Sequence, residues 1–394
     1  MYLSVLGRQS DISIAELEAL YSNVKKIGLC LATFDSEETP DINRLGGSIK
    51  IAEKLPQNPL DYLRQLPEGK ITLGISDYSK NATKKSAAIE ALKLKKILSR
   101  HNRSVRVVEN KEAALSTATS LHNGLSGKNT RKIEFIKTNS AWYKVIGIQD
   151  IDAYSKRDQA RPARDAKVGM LPPKLAQILI NLCGPLPKDS CILDPFCGTG
   201  VVLQEALLMG YHAYGTDINE RMVDYSEKNL KWLEKLEKRT SEGISERGSA
   251  RISAPRPWRR DEATRPEDVL FRVAHGDATS FKWTPPIDAV ACEGYLGKPM
   301  SKIPTEIKLK TEKQECSTII LGFLKNLANQ IEPNTPVIIA CPAWFREDGT
   351  YSRLEIIDNI LKLGYNVNNK SREGLLYHRE KQIVARDIII LRKD

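Results

Sequence analysis

The chain contains the run Cys191-Ile-Leu-Asp-Pro-Phe-Cys-Gly-Thr-Gly200, followed directly by the apolar segment 201–209. The apolar start predicts a short strand, the glycines predict a tight turn, and the following segment predicts a helix. Such a turn brings backbone N–H groups and a helix N-terminus close to a nucleotide-like ligand. The run has neither the Gly-x-Gly-x-x-Gly dinucleotide fingerprint nor the Lys-Ser/Thr of a phosphate-binding loop. The alternative is an ordinary glycine turn without a ligand.

Strands alternate with helices in the second half of the chain, which predicts a parallel sheet in an α/β fold. The predicted strands cover residues 191–193, 213–216, 272–275, 289–292, 337–340, 365–368, 375–377 and 388–391. We expect the last of them to form an antiparallel hairpin at the sheet edge. Ligands of such sheets bind at the carboxyl ends of the strands, so the residues that follow each strand are the candidates for a site.

Three aspartates follow three successive predicted strands: Asp194, Asp217 and Asp277. A carboxylate accepts two hydrogen bonds from a vicinal diol, so Asp217 is a candidate for binding ribose hydroxyls. The alternative is that Asp217 caps the helix that begins near Asn219. Asp277 is a candidate acceptor for an adenine amino group. The alternative interpretation is that Asp277 lies in a surface turn without a ligand.

The run from Asp194 to Gly200 resembles the S-adenosylmethionine (SAM) loop of class I methyltransferases. The variant is the one found in enzymes that methylate exocyclic amines of nucleic-acid bases. This resemblance implies a Rossmann-like fold with SAM as its cofactor and no metal. The residues implied to bind SAM are Asp194, Phe196, Cys197, Gly198, Thr199, Gly200, Asp217, Asp277, Leu171 and Pro172.

The fourth predicted strand ends in Glu293-Gly-Tyr-Leu-Gly297, where amino-methyltransferases usually carry Asp/Asn-Pro-Pro-Tyr/Phe. An exocyclic amine is a poor nucleophile because its lone pair is delocalised, and acceptors on its two hydrogens draw the nitrogen toward tetrahedral geometry. Glu293 and the Gly294 carbonyl are the predicted acceptors, and Tyr295 is predicted to stack on a flipped base. The chain has Glu for Asp, lacks both prolines and places its aromatic residue one position early. An altered or inactive site is therefore the alternative.

The first 150 or so residues predict an α+β region with two short αβ repeats. Residues 151–170 are rich in charged and small side chains and predict a linker. Residues 237–268 are rich in Arg, Glu, Ser and Pro without apolar periodicity, which predicts an exposed, partly disordered insertion.

Four markers in this order resemble the THUMP-domain tRNA guanine-N2 methyltransferases, which methylate N2 of guanosine, typically at position 10 of tRNA. They are Leu6-Gly-Arg-Gln9 with the helix 14–20, Ala160-Arg-Pro-Ala-Arg-Asp165 with Gly169-Met-Leu-Pro-Pro-Lys-Leu-Ala176, the loop 194–200, and Leu376-Tyr-His-Arg-Glu-Lys-Gln382 with Arg386. The resemblance implies a ferredoxin-like domain (1–65), a THUMP RNA-binding domain (66–150), a linker (151–170) and a SAM-dependent methyltransferase domain (171–394).

A net charge of +11 and an isoelectric point near 9.1 indicate an anionic partner, with nucleic acid the first candidate. A generally basic proteome is the alternative. Within the implied THUMP domain, the candidate contacts to tRNA phosphates are Lys84, Lys85, Lys93, Lys96, Arg100 and Arg103. The alternative for these residues is a solvated helix face.

The composition of the chain argues against several other classes of protein. The 394 residues suit two or three domains, and the seven cysteines include no Cys-x-x-Cys pair, which argues against a zinc site or a disulfide framework. No apolar run approaches the length of a membrane span, and the start of the chain lacks a charged segment of the secretory type. We therefore expect a cytoplasmic protein.

Together these features predict a SAM-dependent tRNA (guanine-N2)-methyltransferase. Two alternatives stay open: a tRNA-binding protein with an inactive methyltransferase domain, and an amino-methyltransferase that acts on rRNA or DNA. The need for a small activating subunit is also open.

Overall fold

The chain divides between Ala153 and Tyr154 into two units, Met1–Ala153 and Tyr154–Asp394. The structure is a computed structural model and describes residues 1–165, 170–243, 270–379 and 382–394. None of the helices in these ranges is long and apolar enough to cross a membrane.

The first unit is built on one eight-stranded sheet with the strand order β2-β3-β1-β4-β8-β7-β5-β6. Its strands are β1 (Tyr2–Leu6), β2 (Ser22–Lys26), β3 (Leu31–Asp35), β4 (Ser48–Lys54), β5 (Ile71–Asp77), β6 (Val105–Val107), β7 (Lys132–Lys137) and β8 (Trp142–Ile148). Its helices are α1 (Ser10–Leu20), α2 (Pro59–Arg64), α3 (Lys84–Ser99) and α4 (Thr117–His122), with a 3-10 turn at Ile42–Arg44.

This sheet runs across the boundary predicted at residues 65 and 66. Strand β4 pairs antiparallel with β8, and β8 pairs antiparallel with β7. The strands of both predicted N-terminal domains therefore share one hydrogen-bonded sheet rather than two separate ones.

A buried ion pair crosses this sheet. Lys50 Nζ on β4 lies 2.6 Å from Glu134 Oε1 on β7, and both side chains are almost fully buried. Ser76 Oγ donates to Glu134 Oε1 and Ser120 Oγ donates to Glu134 Oε2, each over 2.6 Å. Lys50 also donates to the Leu115 carbonyl over 2.8 Å. Because each charge has several partners, the pair is stable in the interior.

The second unit alternates strands and helices around a nine-stranded sheet. Its strands are β9 (Cys191–Asp194), β10 (His212–Asp217), β11 (Phe271–His275), β12 (Ala289–Glu293), β13 (Pro336–Phe345), β14 (Tyr351–Arg353), β15 (Tyr365–Val367), β16 (Leu376–Tyr377) and β17 (Val384–Lys393). Its helices are α6 (Pro173–Asn181), α7 (Val201–Leu208), α8 (Glu220–Gly243), α9 (Glu306–Leu327), α10 (Ile357–Lys362) and α11 (Asn369–Glu373), while α5 (Ile151–Gln159) crosses the boundary between the units.

The main path of this sheet is β11-β10-β9-β12-β13-β17-β15, with β9 to β13 parallel and β17 antiparallel to its neighbours. The strand order reverses between β9 and β12, which is the switch point where doubly wound sheets bind ligands. The predicted α/β, Rossmann-like fold is confirmed. The expected position of the last strand is wrong, because β17 lies between β13 and β15 and not at the edge.

Two predicted segments differ from the structure. Helix α5 occupies residues 151–159 of the predicted linker, and the Asp150 carboxylate accepts from the N–H groups of Asp152 and Ala153 at its start. Helix α8 continues to Gly243, so residues 237–243 of the predicted insertion are helical. The rest of that insertion lies outside the described residues.

Candidate active site

A cavity of about 390 Å³ lies at the carboxyl ends of β9, β10 and β12. The residues that line it are Leu171, Asp194, Phe196, Cys197, Gly198, Thr199, Val201, Val202, Asp217, Ile218, Asn219, Met222, Glu293, Gly294, Tyr295, Leu296, Gly297, Lys298 and Pro299. The structure thus brings most of the predicted SAM-binding residues together with the three predicted catalytic residues.

The glycine loop after β9 leaves room for a ligand. Gly198 and Gly200 both have left-handed backbones, with φ of +52° and +78°. A Cβ at Gly198 would meet only the Phe196 carbonyl, at 4.0 Å, so the space beside this residue is open. Gly200 is close-packed instead, because a Cβ there would lie 2.9 Å from Ser226 Oγ. Gly198 therefore lets a ligand approach the backbone, and Gly200 lets α7 begin against its neighbour.

Asp217 connects this loop to the end of β10. Its Oδ2 accepts from the Gly198 N–H and its Oδ1 accepts from the Asn219 N–H, each over 2.9 Å. Asn219 in turn accepts from the Arg221 N–H at the start of α8. Asp217 therefore takes part in the turn before α8. This agrees with the expectation, given as the alternative to ribose binding, that Asp217 caps this helix. A carboxylate has about four acceptor positions, so two are left for ligand hydroxyls.

Negative charge is concentrated in the cavity. Asp194 is only 2% exposed and accepts from the Phe196 N–H over 3.1 Å. Burial raises the pKa of Asp194 well above its usual value, and the charges of Asp217 and Glu293 add to this effect. Burial also raises the pKa of Asp217, although its two N–H donors oppose the shift. A cationic ligand would relieve the cost of these buried carboxylates.

The segment before α6 is tied to the glycine loop through one side chain. Asn229, fully buried on α8, donates to the Thr199 and Ala163 carbonyls over 2.9 Å and accepts from the Ala163 N–H over 3.0 Å. Leu171, one of the residues predicted to bind SAM, lines the cavity. Pro172 does not; it is the residue that precedes α6.

Asp277 stands apart from the other predicted carboxylates. It follows β11, but it does not line the cavity. Its Oδ1 accepts from the Thr279 N–H over 2.9 Å and from the Thr279 hydroxyl over 2.8 Å, on an exposed turn. These contacts match the surface-turn alternative. Among the described residues, no group of three or more His, Cys, Asp or Glu side chains is arranged to hold a metal ion.

Glu293 ends β12 with its side chain at the cavity. Its Oε1 accepts from Arg386 Nε over 2.8 Å. The next residue, Gly294, donates its N–H to the Ala340 carbonyl of β13 over 3.0 Å. Proline has no N–H and cannot make this bond. The missing proline therefore has a structural consequence, since the glycine joins the loop to the neighbouring strand.

A carboxylate of α9 holds Tyr295 in place. Its hydroxyl donates to Glu315 Oε1 over 2.9 Å, and burial together with this carboxylate raises the pKa of Tyr295 to about 12. Two residues later Gly297 has a left-handed φ of +80°, and a Cβ there would lie 2.6 Å from Glu312 Oε2. The same oxygen accepts from the Lys298 N–H over 3.2 Å. Helix α9 thus holds the loop that carries the aromatic ring.

Several lining residues were not predicted from the sequence. Ile218 directly follows Asp217, and its apolar side chain is 68% exposed at the cavity. An apolar residue after a strand-end carboxylate could have indicated a surface for an adenine ring. Met222 lies on α8, and Pro299 lies beyond the predicted motif, so neither carries a local signal of this kind.

The predicted RNA contacts lie mainly on α3 in the first unit. This helix buries Ala87, Ala91, Leu94 and Leu98 against the sheet. The opposite side is basic and exposed and carries Lys84, Lys85, Lys93, Lys96 and Arg100. Ile89 and Leu92, at 54% and 55% exposure, lie among these cations. The exposed side of the helix therefore carries apolar as well as charged groups.

Arg103 differs from the exposed cations of α3 in its contacts. Its two terminal nitrogens donate to the Leu66 and Pro67 carbonyls over 3.0 and 2.9 Å. These bonds direct the guanidinium into a turn of the first unit. The lysines predicted to contact RNA on α3 are exposed instead.

The second unit has a Rossmann-like sheet with a cavity at its switch point, and residues 161–244 match the methyltransferase-domain family UPF0020 (RMKL-like, methyltransferase domain). The tRNA (guanine(10)-N2)-dimethyltransferase of Methanothermobacter thermautotrophicus is 48% identical over 75 residues, which is 18% of this chain and 22% of that protein. The enzyme of the same name from Pyrococcus abyssi is 47% identical over 62 residues, which is 16% of this chain and 18% of that protein. The predicted resemblance to tRNA guanine-N2 methyltransferases is confirmed.

These matches span about a fifth of the length of the curated relatives. Among solved structures, TrmN from Thermus thermophilus aligns over 100% of this chain and 99% of its own, with 15% identity and a TM-score of 0.46.

Proposed function

We propose that the protein transfers a methyl group from SAM to the exocyclic N2 amine of a guanosine in tRNA, at position 10. The observation that carries this proposal is the cavity itself. It places the carboxylate of Glu293 and the backbone of Gly294 beside the glycine loop of a methyltransferase domain. The curated relatives that match part of the chain are named for this nucleotide.

The lining residues fit SAM. Gly198 leaves open space at the loop, and Asp217 has acceptor positions for the ribose hydroxyls. Ile218 and Met222 supply apolar surface for the adenine. The carboxylate of Asp194 suits the positive charges of SAM. When bound there, SAM supplies a methyl group on a sulfonium sulfur, which is already an activated donor.

The loop after β12 supplies the groups that act on the amine. Glu293 and the Gly294 carbonyl accept hydrogen bonds from its two hydrogens, which turns the nitrogen lone pair toward the donor. Tyr295 stacks on the flipped base, and its bond to Glu315 sets the angle of the ring. Glu293 also receives the proton that the amine loses.

The first unit is the tRNA-binding part in this proposal. We assign a THUMP-like role to residues 66–150 and the phosphate contacts to the exposed cations of α3, and we place the protein in the cytoplasm. Phosphate neutralisation gives such contacts much of their affinity.

A second candidate is a tRNA-binding protein whose methyltransferase domain is inactive. Two observations favour it: Gly294 replaces a motif proline, and Glu293 already forms an ion pair with Arg386. In that case the site would bind SAM without turnover.

Transfer of tritiated methyl groups from SAM to a tRNA transcript tests both candidates. The matched control is the same transcript with inosine at position 10, because inosine lacks only the N2 amine. We expect labelling of the guanosine transcript alone and its loss with Glu293→Ala. Equal labelling of both transcripts would contradict the proposed nucleotide. SAM binding without labelling of any tRNA would support the inactive domain.

A further inference from the structure

Arg386 lies on β17, which is not a neighbour of β12 in the sheet. Strand β13 separates the two, with Ala340 opposite Glu293 and Pro342 opposite Arg386. The arginine side chain reaches across β13, and its Nε donates to Glu293 Oε1 over 2.8 Å. The ion pair thus connects the end of the central parallel strands to the antiparallel part of the sheet.

Both members of the pair are largely withdrawn from solvent. The Arg386 side chain is 8% exposed and that of Glu293 is 19% exposed. Taking two charges out of water is costly, so stability alone is a weak reason for such a pair. A second contact fixes the arginine, since its Nη1 donates to Gln382 Oε1 over 3.4 Å. The guanidinium is therefore held in place before any ligand binds.

Arg386 contacts only one of the two oxygens of the Glu293 carboxylate. Arg386 bonds to Oε1 through a single Nε–H, and Oε2 of Glu293 has no hydrogen-bond partner within the described part of the chain. Glu293 lines the cavity, so the other oxygen is available there to an incoming donor. A bidentate pair would have occupied both oxygens.

The surroundings of Glu293 explain why a cation is needed. Asp194 and Asp217 line the same cavity, and Glu293 lies close enough to act on the charge of Asp194. Without a counter-charge, the Glu293 carboxylate would be repelled from the cavity by these groups. Arg386 lies outside the lining and approaches Glu293 from the sheet side.

We propose that Arg386 is a positioning residue for methyl transfer, which holds Glu293 by Oε1 so that Oε2 faces the amine of the base. The inference rests on the proposed function, because it assigns a task to the acceptor of that reaction. Arg386 itself touches neither the base nor SAM. Its effect therefore passes through Glu293.

A double-mutant cycle tests this inference in the full chain, with Arg386→Met, Glu293→Gln and the double variant. The turnover number, the KM for tRNA and the Kd for SAM are measured for each. Arg386→Lys is included because it keeps the charge, and Arg392→Met is the matched control. Arg392 lies on the same strand, but it is exposed and donates to the Asn334 carbonyl.

We expect Arg386→Met to lower the turnover number by roughly 10- to 100-fold, as for the loss of a charged hydrogen bond. The KM for tRNA and the Kd for SAM should stay within about twofold of wild type, since Arg386 does not line the cavity. Arg386→Lys should recover part of the rate, and Arg392→Met should leave it unchanged. In the Glu293→Gln background, Arg386→Met should have little further effect.

Additive losses in the cycle would overturn the inference, because they would mean that Arg386 does not act through Glu293. If the Kd for SAM of Arg386→Met rises by as large a factor as its turnover number falls, the inference is overturned as well, since such a rise would indicate a general loss of structure. Wild-type protein that binds SAM but labels no tRNA would overturn the proposed function, and the inference with it.

Discussion

The Gly198 N–H donates to Asp217 Oδ2 over 2.9 Å and joins the loop after β9 to the end of β10. The carboxylate proposed to bind the ribose of SAM thus also fixes the glycine that lets SAM approach the backbone. One side chain sets the shape and the polarity of this part of the cavity. Its removal should disturb both.

Asp217→Ala is expected to raise the Kd for SAM by roughly 10- to 100-fold, the effect of losing hydrogen bonds to a charged group. Isothermal titration calorimetry measures it directly. Asp348→Ala is a suitable control, because Asp348 also accepts from the N–H two residues ahead but is exposed elsewhere. An unchanged Kd for Asp217→Ala would contradict the assigned role.

Asp194→Asn should stabilise the ligand-free protein while weakening SAM binding. The amide oxygen can still accept from the Phe196 N–H, but no charge is buried. Because the pKa of Asp194 is raised by folding, its ionisation costs stability as the pH rises from the usual value through the raised one. We expect a gain of about 1–2 kcal/mol in the free energy of unfolding near neutral pH.

The gain should shrink as the pH falls below the ordinary pKa of an aspartate, about 3.9, because Asp194 is then protonated in both the folded and unfolded states. Urea denaturation of both proteins across this range gives the difference. A variant less stable than wild type at every pH would contradict this account of the buried carboxylate.

Gly294→Pro should destabilise the protein by about 1–3 kcal/mol, even though it restores a residue of the usual amino-methyltransferase motif. The destabilisation comes from the loss of the Gly294 N–H, which in the wild-type protein donates to the Ala340 carbonyl. Gly294→Ala keeps this N–H, and its Cβ would meet Ile339 Cδ1 at 3.1 Å, so it reports the steric part alone. Thermal unfolding of both variants separates the two effects. Equal stability of Gly294→Pro and wild type would refute the role of this bond.

Replacing Lys85, Lys93 and Lys96 of α3 by Ala should weaken tRNA binding. It should also reduce the slope of log affinity against log salt by about one unit for each phosphate that the protein no longer neutralises. Filter binding at several salt concentrations measures both quantities. The triple variant of Lys25, Lys54 and Lys128 removes the same charge from exposed positions of the first unit. If both triple variants lose affinity equally, α3 has no particular role.

Local pattern predicted the parallel part of the sheet and the glycine loop, because apolar strands and turn residues are adjacent in sequence. The edge strand β2 was missed, since Ser-Asn-Val-Lys-Lys has almost no apolar side chains and its pairing with β3 is what makes it a strand. Helix α5 was assigned to a linker because its side chains are mostly polar, and its first turn depends on Asp150.

The site was predictable where one residue follows a strand and not where two distant residues meet. Asp194, Asp217 and Glu293 each end a strand of the same sheet, so their convergence follows from the fold. Nothing in the local sequence indicates that Asn229 holds Ala163, or that Arg386 lies 2.8 Å from Glu293. Such contacts depend on strand and helix pairings that are fixed only in the folded chain.

The interior position of β17, between β13 and β15, has a consequence for biosynthesis. Residues 384–393 are translated after every other strand of the unit, yet they pair with both β13 and β15. A nascent chain that ends before them has an open gap in its sheet and lacks the arginine beside Glu293. Domains generally fold as whole units. This one can therefore complete its sheet, and with it the amine-binding side of its cavity, only when residues 384–393 have emerged from the ribosome.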